Sequence, residues 1–237
     1  MSGNIGRENT LVAFRTAADL GVHHLETDVH ATSDGVLVAA HDAELDRVSD
    51  RSGAIAQLTA TEVLAADIGG ERIPRLTELV DALPAASFTI DIKAPAAVLP
   101  LVRALWRRSR RRRVCVGSFS EARLWTFRLL TLGRVTTSAG PGGVAALRFL
   151  PVFWPWLHTP GVVFQVPIHR QVGPLRVRIV TPEFIRRAHA LGKQVHVWTI
   201  DDPATMHELL DLGVDGIVTD RPDLALAVLA ERACATH

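Results

Sequence analysis

Several residue types are scarce in this chain of 237 residues. It has two cysteines, Cys115 and Cys234, only two lysines, and no tyrosine. Two cysteines cannot form the disulfide framework of a small secreted domain, so we expect a reduced, cytoplasmic compartment, with membrane association left open. No apolar run reaches the roughly 18 residues that a membrane-spanning helix needs.

An excess of charge of one sign is also lacking. The chain has 26 Lys and Arg against 25 Asp and Glu, a formal net charge of +1, which gives no reason to expect a nucleic acid partner. Hydrophobic residues make up 48%, which is typical of a globular domain with a sizeable core. The length matches one (β/α) barrel of roughly 250 residues, so we predict a single domain over residues 1–237.

Apolar strands alternate with amphipathic helices along the whole chain. The predicted strands are Val22–Val29, Ser87–Ile92, Val114–Val116, Val135–Thr137, Gly161–Val166, Gln194–Thr199 and Asp215–Val218. The predicted helices are Asn9–Leu20 with Asn9 as its N-cap, Leu76–Leu83, Ala96–Ser109, Ala122–Leu132, Pro182–Leu191, Pro203–Leu210 and Pro222–Ala233. Such alternation predicts a parallel sheet, and this many units predicts a closed barrel.

The order of these elements differs in one respect from a complete barrel. The chain opens with a helix and has seven predicted strands, whereas a TIM barrel has eight. We therefore predict an α/β, TIM-type (β/α) barrel that lacks its first strand, with a polar excursion at residues 42–72 within it.

The first predicted strand carries two acidic residues. Glu26 and Asp28 stand two residues apart, so their side chains point to the same face of the strand. Two converging carboxylates suit a hard divalent cation. A hairpin turn at 33–35 would bring His41 back beside them. Because a histidine can transfer protons at neutral pH, this arrangement indicates hydrolytic chemistry.

Six short motifs stand in a fixed order between Glu8 and Asp223. They are ENTL at 8–11, LETDV at 25–29, TSDG at 32–35, VAAHD at 38–42, PRLTEL at 74–79 and GVDGIVTDRP at 213–222. Each motif alone is weak, but their order and spacing are specific. Together they resemble the glycerophosphodiester phosphodiesterase family over nearly the whole chain.

The resemblance implies hydrolysis of glycerophosphodiesters to an alcohol and glycerol 3-phosphate, with Ca²⁺ or Mg²⁺ as the metal. The metal ligands it implies are Glu26, Asp28 and Asp91, the last an Asp where the family usually has Glu. The substrate would be a small-molecule phosphodiester or a lysophospholipid. The head group and the oligomeric state are left open.

Three further residues take roles from the same resemblance. His41 would act as a catalytic acid or base and protonate the leaving alkoxide. Lys93 would hold a phosphate oxygen as a point charge. Trp198, near the end of the strand that begins at Gln194, would pack on the glycerol moiety.

The beginning of the chain departs from the family pattern. Family members start with a strand that ends in His-Arg-Gly and supplies a second catalytic histidine, whereas this sequence starts with MSGNIGRE. We expect the coding sequence to extend upstream of Met1 and to encode that strand. Two alternatives remain: a catalytically impaired phosphate- or lipid-binding barrel, and a related phospholipase that forms a cyclic phosphate.

Two segments are candidates for peripheral contact with a membrane. Residues 106–113 are rich in arginine, and they fit either a solvated helix end or a site for an anionic membrane surface. Residues 144–157 are bulky and apolar and include Phe149, Phe153, Trp154 and Trp156. They fit either contact with lipid tails or a lid over the barrel.

Overall fold

The computed structural model describes residues 7–150 and 159–235. The chain divides into two compact units, Met1–Thr136 and Thr137–His237. The single domain over residues 1–237 stays a prediction. None of the helices in the described ranges combines the length and the apolar character that crossing a bilayer requires.

Helices and strands alternate as the sequence predicts. The helices are α1 (Leu11–Asp19), α2 (Ala60–Leu64), α3 (Leu76–Ala82), α4 (Val98–Ala104), α5 (Arg108–Arg111), α6 (Glu121–Leu130), α7 (Pro141–Phe149), α8 (Pro182–Ala190), α9 (Pro203–Asp211) and α10 (Pro222–Ala235). The strands are β1 (His24–Ala31), β2 (Leu37–Ala39), β3 (Asp67–Ile68), β4 (Glu71–Arg72), β5 (Ser87–Ile92), β6 (Val114–Gly117), β7 (Thr136–Thr137), β8 (Val163–Pro167), β9 (His169–Val172), β10 (Leu175–Arg178), β11 (Gln194–Trp198) and β12 (Gly216–Ile217). All seven predicted strands are confirmed, with ends that shift by no more than two residues.

The first unit is built on a sheet in which β1 lies between β2 and β5 and β5 also pairs with β6. β1, β5 and β6 are parallel, whereas β1 and β2 form the predicted antiparallel hairpin. The hairpin turn is fixed by Thr32, whose hydroxyl donates to Asp34 Oδ1 at 2.6 Å. Gly35 follows with a φ of +78°, a conformation that glycine adopts without steric cost.

The N-cap of α1 differs from the prediction. Thr10, not Asn9, caps the helix, and its hydroxyl accepts from the Ala13 amide at 3.3 Å. Asn9 Oδ1 instead accepts from the hydroxyl of Thr27 on β1 at 2.8 Å. Because Thr27 is fully buried, its hydroxyl needs a partner. Asn9 therefore ties the start of the helix to the sheet.

The single helix predicted at Ala96–Ser109 was wrong. A short 3₁₀ turn precedes α4, which ends at Ala104, and α5 follows as a separate turn. Arg110 Nη1 donates to the Ala104 carbonyl at 3.1 Å, and Arg110 Nε donates to Asp81 Oδ1 at 2.8 Å. The last carbonyls of a helix lack intrahelical partners, so the chain turns back and Arg110 satisfies one of them.

The predicted excursion at residues 42–72 packs around its own apolar cluster. Leu45, Ile55 and Val63 are almost fully buried there together with Ile68 and Ile73. Short elements border this cluster: α2, with a capping box formed by its N-cap threonine and a glutamate, and the antiparallel pair β3–β4. The segment that reads as polar in sequence therefore has a small apolar core of its own.

The second unit has a parallel three-stranded sheet in the order β12-β11-β8. Its core includes Phe164 of β8 and Phe184 of α8, whose ring centroids are 5.5 Å apart in an edge-to-face arrangement. The antiparallel hairpin β9–β10 was not predicted. Each of its strands has only four residues, which is the lower limit of the length over which alternation of apolar and polar residues indicates a strand.

Gly161 provides a test of close packing in the second unit. A Cβ at this position would lie 2.2 Å from the backbone nitrogen of Ala139. Because backbone cannot move aside as a flexible side chain can, we expect Gly161→Ala to lower the free energy of unfolding by about 2 to 3 kcal/mol. Urea unfolding measures this change.

Gly143 in α7 is the matched control. A Cβ there would meet its nearest neighbour, Thr159 Oγ1, at 3.4 Å. Gly143→Ala should leave the protein as stable or raise its stability by about 0.5 to 1 kcal/mol, because alanine favours a helix. Equal stability of the two variants would contradict the packing at Gly161.

Candidate active site

Two acidic residues lie side by side on neighbouring strands of the first unit. In the parallel register of β1 and β5, Asp28 stands opposite Asp91, and Glu26 stands opposite Thr89. The residues of such a pair turn their side chains to the same face of the sheet. Asp28 is 6% exposed and Asp91 is 7% exposed. The register therefore creates a pair of buried carboxylates.

Lys93 lies between these two carboxylates. Its Nζ is 2.8 Å from Asp28 Oδ1 and 3.2 Å from Asp91 Oδ2. The same nitrogen lies 5.7 Å from the centre of the Phe119 ring, within the range of a cation–π contact. The family resemblance predicts a phosphate contact for Lys93. The structure adds that its single positive charge is shared between the two aspartates.

The charges of this cluster shift one another's pKa values. Burial raises the pKa of Asp91, and the neighbouring Lys93 ammonium counters only part of that effect. Burial by itself would lower the pKa of Lys93, but the negative charges of Asp28 and Asp91 outweigh it, so the net shift is upward. Lys93 is therefore held as an ammonium ion.

Three acidic residues on β1 and β5 are the predicted ligands of a divalent metal. Glu26, Asp28 and Asp91 offer only carboxylate oxygens, the donors that Ca²⁺ and Mg²⁺ prefer. Asp91 Oδ2 is buried without a hydrogen bond; its 3.2 Å approach to Lys93 Nζ is an ionic contact. Within residues 7–150 and 159–235, no three His, Cys, Asp or Glu side chains gather closely enough to hold an ion. The donor chemistry fits the metal, and the ligand roles of the three residues stay predictions.

The hairpin returns the backbone to Asp28 just before His41, and the placement of the His41 side chain beside the carboxylates stays a prediction. The Ala40 amide donates to the Asp28 carbonyl at 3.1 Å. His30 Nε2 lies 3.2 Å from the His41 carbonyl oxygen, and burial lowers the pKa of His30. The backbone at His41 is therefore fixed from two sides, although 56% of its side chain is exposed.

A chain of polar contacts orients the His41 ring. His41 Nδ1 lies 2.6 Å from Asp42 Oδ1. Arg47 pairs with Asp42 and also with Glu8, to which Nη1 donates at 3.1 Å. The hydrogen bond from Arg47, followed by that from His41, lowers the pKa of Asp42 to about 2. The family resemblance implies no role for Glu8, Asp42 or Arg47, although Glu8 and Asp42 lie within the motifs.

The family is decided by comparison with known proteins. The pattern of the "Glycerophosphoryl diester phosphodiesterase family" matches residues 1–224. The chain belongs to this family. The resemblance that the sequence motifs indicate is therefore confirmed.

Relatives cover nearly the whole chain. Probable glycerophosphodiester phosphodiesterase 2 of Mycobacterium tuberculosis is 42% identical over 231 residues, which are 94% of this chain and 86% of the relative. The crystal structure of an Agrobacterium tumefaciens glycerophosphodiester phosphodiesterase is 25% identical, with a TM-score of 0.74, and covers 95% of this chain and 96% of its own.

A third comparison extends the likeness in fold. The structure of an Oleispira antarctica phosphodiesterase in complex with the product sn-glycerol-3-phosphate is 20% identical, has a TM-score of 0.76, and covers 94% of this chain and 91% of its own. The solved relatives confirm the predicted fold class, an α/β barrel of the TIM type.

Trp198, the remaining predicted site residue of this family member, lies in the second unit at the end of β11. It is half-buried and lines a cavity of about 300 Å³. The cavity is lined by Ile168, His169, Arg170, Gln171, Arg176, Trp198, Thr199 and Ile200. Packing of Trp198 on a glycerol moiety stays a prediction. The arginines beside it were missed because the hairpin that carries them was missed.

Asp42 provides a test of how the His41 ring is held. We expect Asp42→Asn to lower kcat by about tenfold or more with little change in KM, because an amide holds the reactive orientation of the ring less firmly than an anion does. Steady-state kinetics on a glycerophosphodiester measure this change.

Asp19→Asn is the matched control for that variant. It removes an exposed carboxylate from the end of α1 and should leave kcat unchanged. An Asp42→Asn enzyme with unaltered kcat would show that Asp42 does not position His41.

Proposed function

We propose that this chain hydrolyses glycerophosphodiesters to an alcohol and glycerol 3-phosphate. The observation that supports the proposal most is the cluster on β1 and β5, where Lys93 lies within 3.2 Å of two buried carboxylates. Phosphoryl transfer is catalysed mainly by positioning and by stabilisation of charge. A histidine held by an aspartate next to such a cluster provides an acid for the leaving group.

We further infer that Glu26, Asp28 and Asp91 bind a divalent metal, Ca²⁺ or Mg²⁺. The all-oxygen donor set and the buried Asp91 Oδ2 without a hydrogen bond support this inference. A bound divalent ion would polarise a phosphoryl oxygen as a Lewis acid. Lys93 would then direct its charge toward another phosphate oxygen, as a lysine binds phosphate.

In the proposed reaction, His41 moves the proton. Because Asp42 holds Nδ1, Nε2 is the nitrogen that can face the substrate. Protonated His41 would give its Nε2 proton to the leaving alkoxide and so prevent a costly free alkoxide. Trp198 would pack on the glycerol moiety and orient it.

Identification of the product by phosphorus NMR tests the reaction. We expect the signal of the diester to be replaced by that of glycerol 3-phosphate. His41→Ala should lower kcat by about 10² to 10⁴, the usual effect of losing one general acid. His23→Ala is the control, because it removes an exposed histidine from the residue just before β1.

The other outcomes of this experiment separate the alternatives. A cyclic phosphate would favour the related phospholipase reaction, and full activity of His41→Ala would contradict the assigned acid. An unchanged diester would favour the phosphate- or lipid-binding barrel.

Thermal unfolding with added metal tests the ion site independently of turnover. A ligand at 100 times its Kd stabilises the folded protein by about 2.7 kcal/mol. We expect Ca²⁺ or Mg²⁺ to raise the Tm, and Glu26→Gln and Asp91→Asn to reduce that rise. Glu44→Gln, which alters an exposed glutamate in the same unit, should respond as the unmodified protein does. No metal effect on Tm would contradict the site.

Peripheral membrane contact and a cytoplasmic location stay predictions. In the basic segment, Arg110 pairs with Asp81, and the Arg113 guanidinium donates to three carbonyl oxygens at and beyond the end of α3. Both side chains therefore serve the fold. Trp106, at 72% exposure, remains available for a membrane surface. Residues 151–157 of the apolar segment, with Phe153, Trp154 and Trp156, lie outside the described residues.

A further inference from the structure

Two neighbouring helices of the first unit, α4 and α6, expose large apolar side chains. The helices pack against each other, and each buries one side in the core, where Leu101 of α4 and Phe127 of α6 are fully buried. The opposite side of such a helix is normally polar. On α6 it carries Trp125 and Leu129, which are both more than half exposed and which share a face because they stand four residues apart.

The exposed side of α4 adds to this surface. Leu99 is nearly half exposed, and Trp106, just beyond the end of the helix, is among the most exposed apolar residues described. Single exposed apolar side chains are ordinary on a protein surface, whereas several on adjoining helices mark a site of contact. The surface is called the α4–α6 face below and comprises Leu99, Trp106, Trp125, Leu129 and Leu132.

Leu132 stands just past the end of α6 in a backbone conformation that leucine rarely adopts. Its φ is +53°, in the left-handed region, and glycine or asparagine usually fills this position after a helix. A leucine there costs stability because its Cβ crowds a backbone carbonyl oxygen. The side chain is 72% exposed, so packing in the fold offsets little of that cost. Contact with an apolar partner would give this leucine a role.

Positive charge surrounds the α4–α6 face. Residues 94–136 contain ten arginines and one acidic residue, Glu121, although the formal net charge of the whole chain is only +1. Arg103 stands four residues after Leu99 on α4, and Arg134 stands two residues after Leu132. Both arginines are exposed, and neither has a hydrogen-bonding or salt-bridge partner within residues 7–150 and 159–235. A partner for this face therefore needs both an apolar part and negative charge.

A second copy of the chain and a nucleic acid meet these needs less well than a membrane does. In a symmetric dimer the same patch meets itself, so arginines would face arginines. A nucleic acid offers phosphates and bases that stack on tryptophan, but it has no aliphatic part that could bury exposed leucines. A bilayer with anionic lipids offers acyl chains, negative charge, and an interface in which tryptophan is favoured.

We propose that the α4–α6 face docks on the surface of a bilayer that contains anionic lipids. Trp106 and Leu132 enter the interface, while Arg103 and Arg134 contact lipid phosphates. Most of this face lies outside the two segments that the sequence suggested for membrane contact, 106–113 and 144–157, which share only Trp106 with it. The inference does not rest on the proposed hydrolysis, because it concerns binding alone.

Docking at this face leaves the candidate active site accessible. β5 and β6 are parallel neighbours, and α4 lies in the connection between them. A helix in such a connection runs opposite to the strands, so Trp106 lies toward the start of β6. Lys93 follows the end of β5 and therefore lies at the other end of the sheet. A substrate in solution can reach Lys93 while the protein is held at the membrane.

Cosedimentation with lipid vesicles tests the proposal. We expect vesicles of phosphatidylcholine with about one third phosphatidylglycerol to bind the protein at least about tenfold more tightly than vesicles of phosphatidylcholine alone. Leu132→Asn should weaken binding to the anionic vesicles by about tenfold or more, because it removes an apolar side chain from the interface. Arg103→Gln and Arg134→Gln should each weaken it by about fivefold. Added salt should weaken it as well.

Two matched variants control for the chemistry of these changes. Leu229→Asn alters an exposed leucine of α10, and Arg51→Gln removes an exposed arginine of the excursion; both should bind the vesicles as the unmodified protein does. Leu132→Asn should stay folded with a Tm that is not lowered, because asparagine adopts the left-handed conformation more readily than leucine. Thermal unfolding checks this expectation for each variant.

Several results would overturn the proposal. They are the absence of binding to the anionic vesicles, equal binding to both kinds of vesicle, and equal binding by Leu132→Asn and Leu229→Asn. Sedimentation equilibrium and a duplex DNA probe cover the other partners. Self-association that Leu132→Asn abolishes, without vesicle binding, would assign the face to a second copy. Binding of the DNA probe without vesicle binding would assign it to nucleic acid, and either result would exclude the membrane.

Discussion

The pairing of β1 with β5 places Asp28 opposite Asp91, and the candidate site depends on this register. Two buried carboxylates repel each other and lose their hydration, and both effects disfavour the ionised forms. Lys93, two residues beyond Asp91, supplies the opposite charge within 2.8 Å and 3.2 Å of the two carboxylates. The strand register thus fixes which charged groups meet at the site. A metal or a phosphate that binds there would interact with both aspartates and with Lys93.

The orientation of His41, the candidate general acid, depends on polar contacts and not on the strand register. His41 lies after the hairpin with more than half of its side chain exposed, so packing alone cannot hold its ring. Asp42 holds it, and Arg47 links Asp42 to Glu8 at the start of the described chain. Exposed ion pairs add little to stability, but an arginine fork fixes geometry. These contacts therefore serve orientation more than folding.

Arginine fills structural roles throughout a chain that has only two lysines. Arg110 and Arg113 complete the ends of helices in the first unit, and most arginines of the second unit have carboxylate or carbonyl partners. A run of basic residues in this sequence therefore does not by itself identify a binding surface.

The sequence alone determined the order of strands and helices, the family, and the shared face of Glu26 and Asp28, because these depend on local periodicity and on spacing along the chain. Only the tertiary structure decided that Lys93 contacts both aspartates, that α4 ends at Ala104 and that Thr10 caps α1. Each of these depends on contacts between segments that local pattern does not bring together. The register of two strands places Lys93, an arginine that turns back bonds the end of α4, and a buried threonine bonds the side chain of Asn9. Local pattern cannot predict such contacts, because the free energy that decides them arises only when the distant segments pack together.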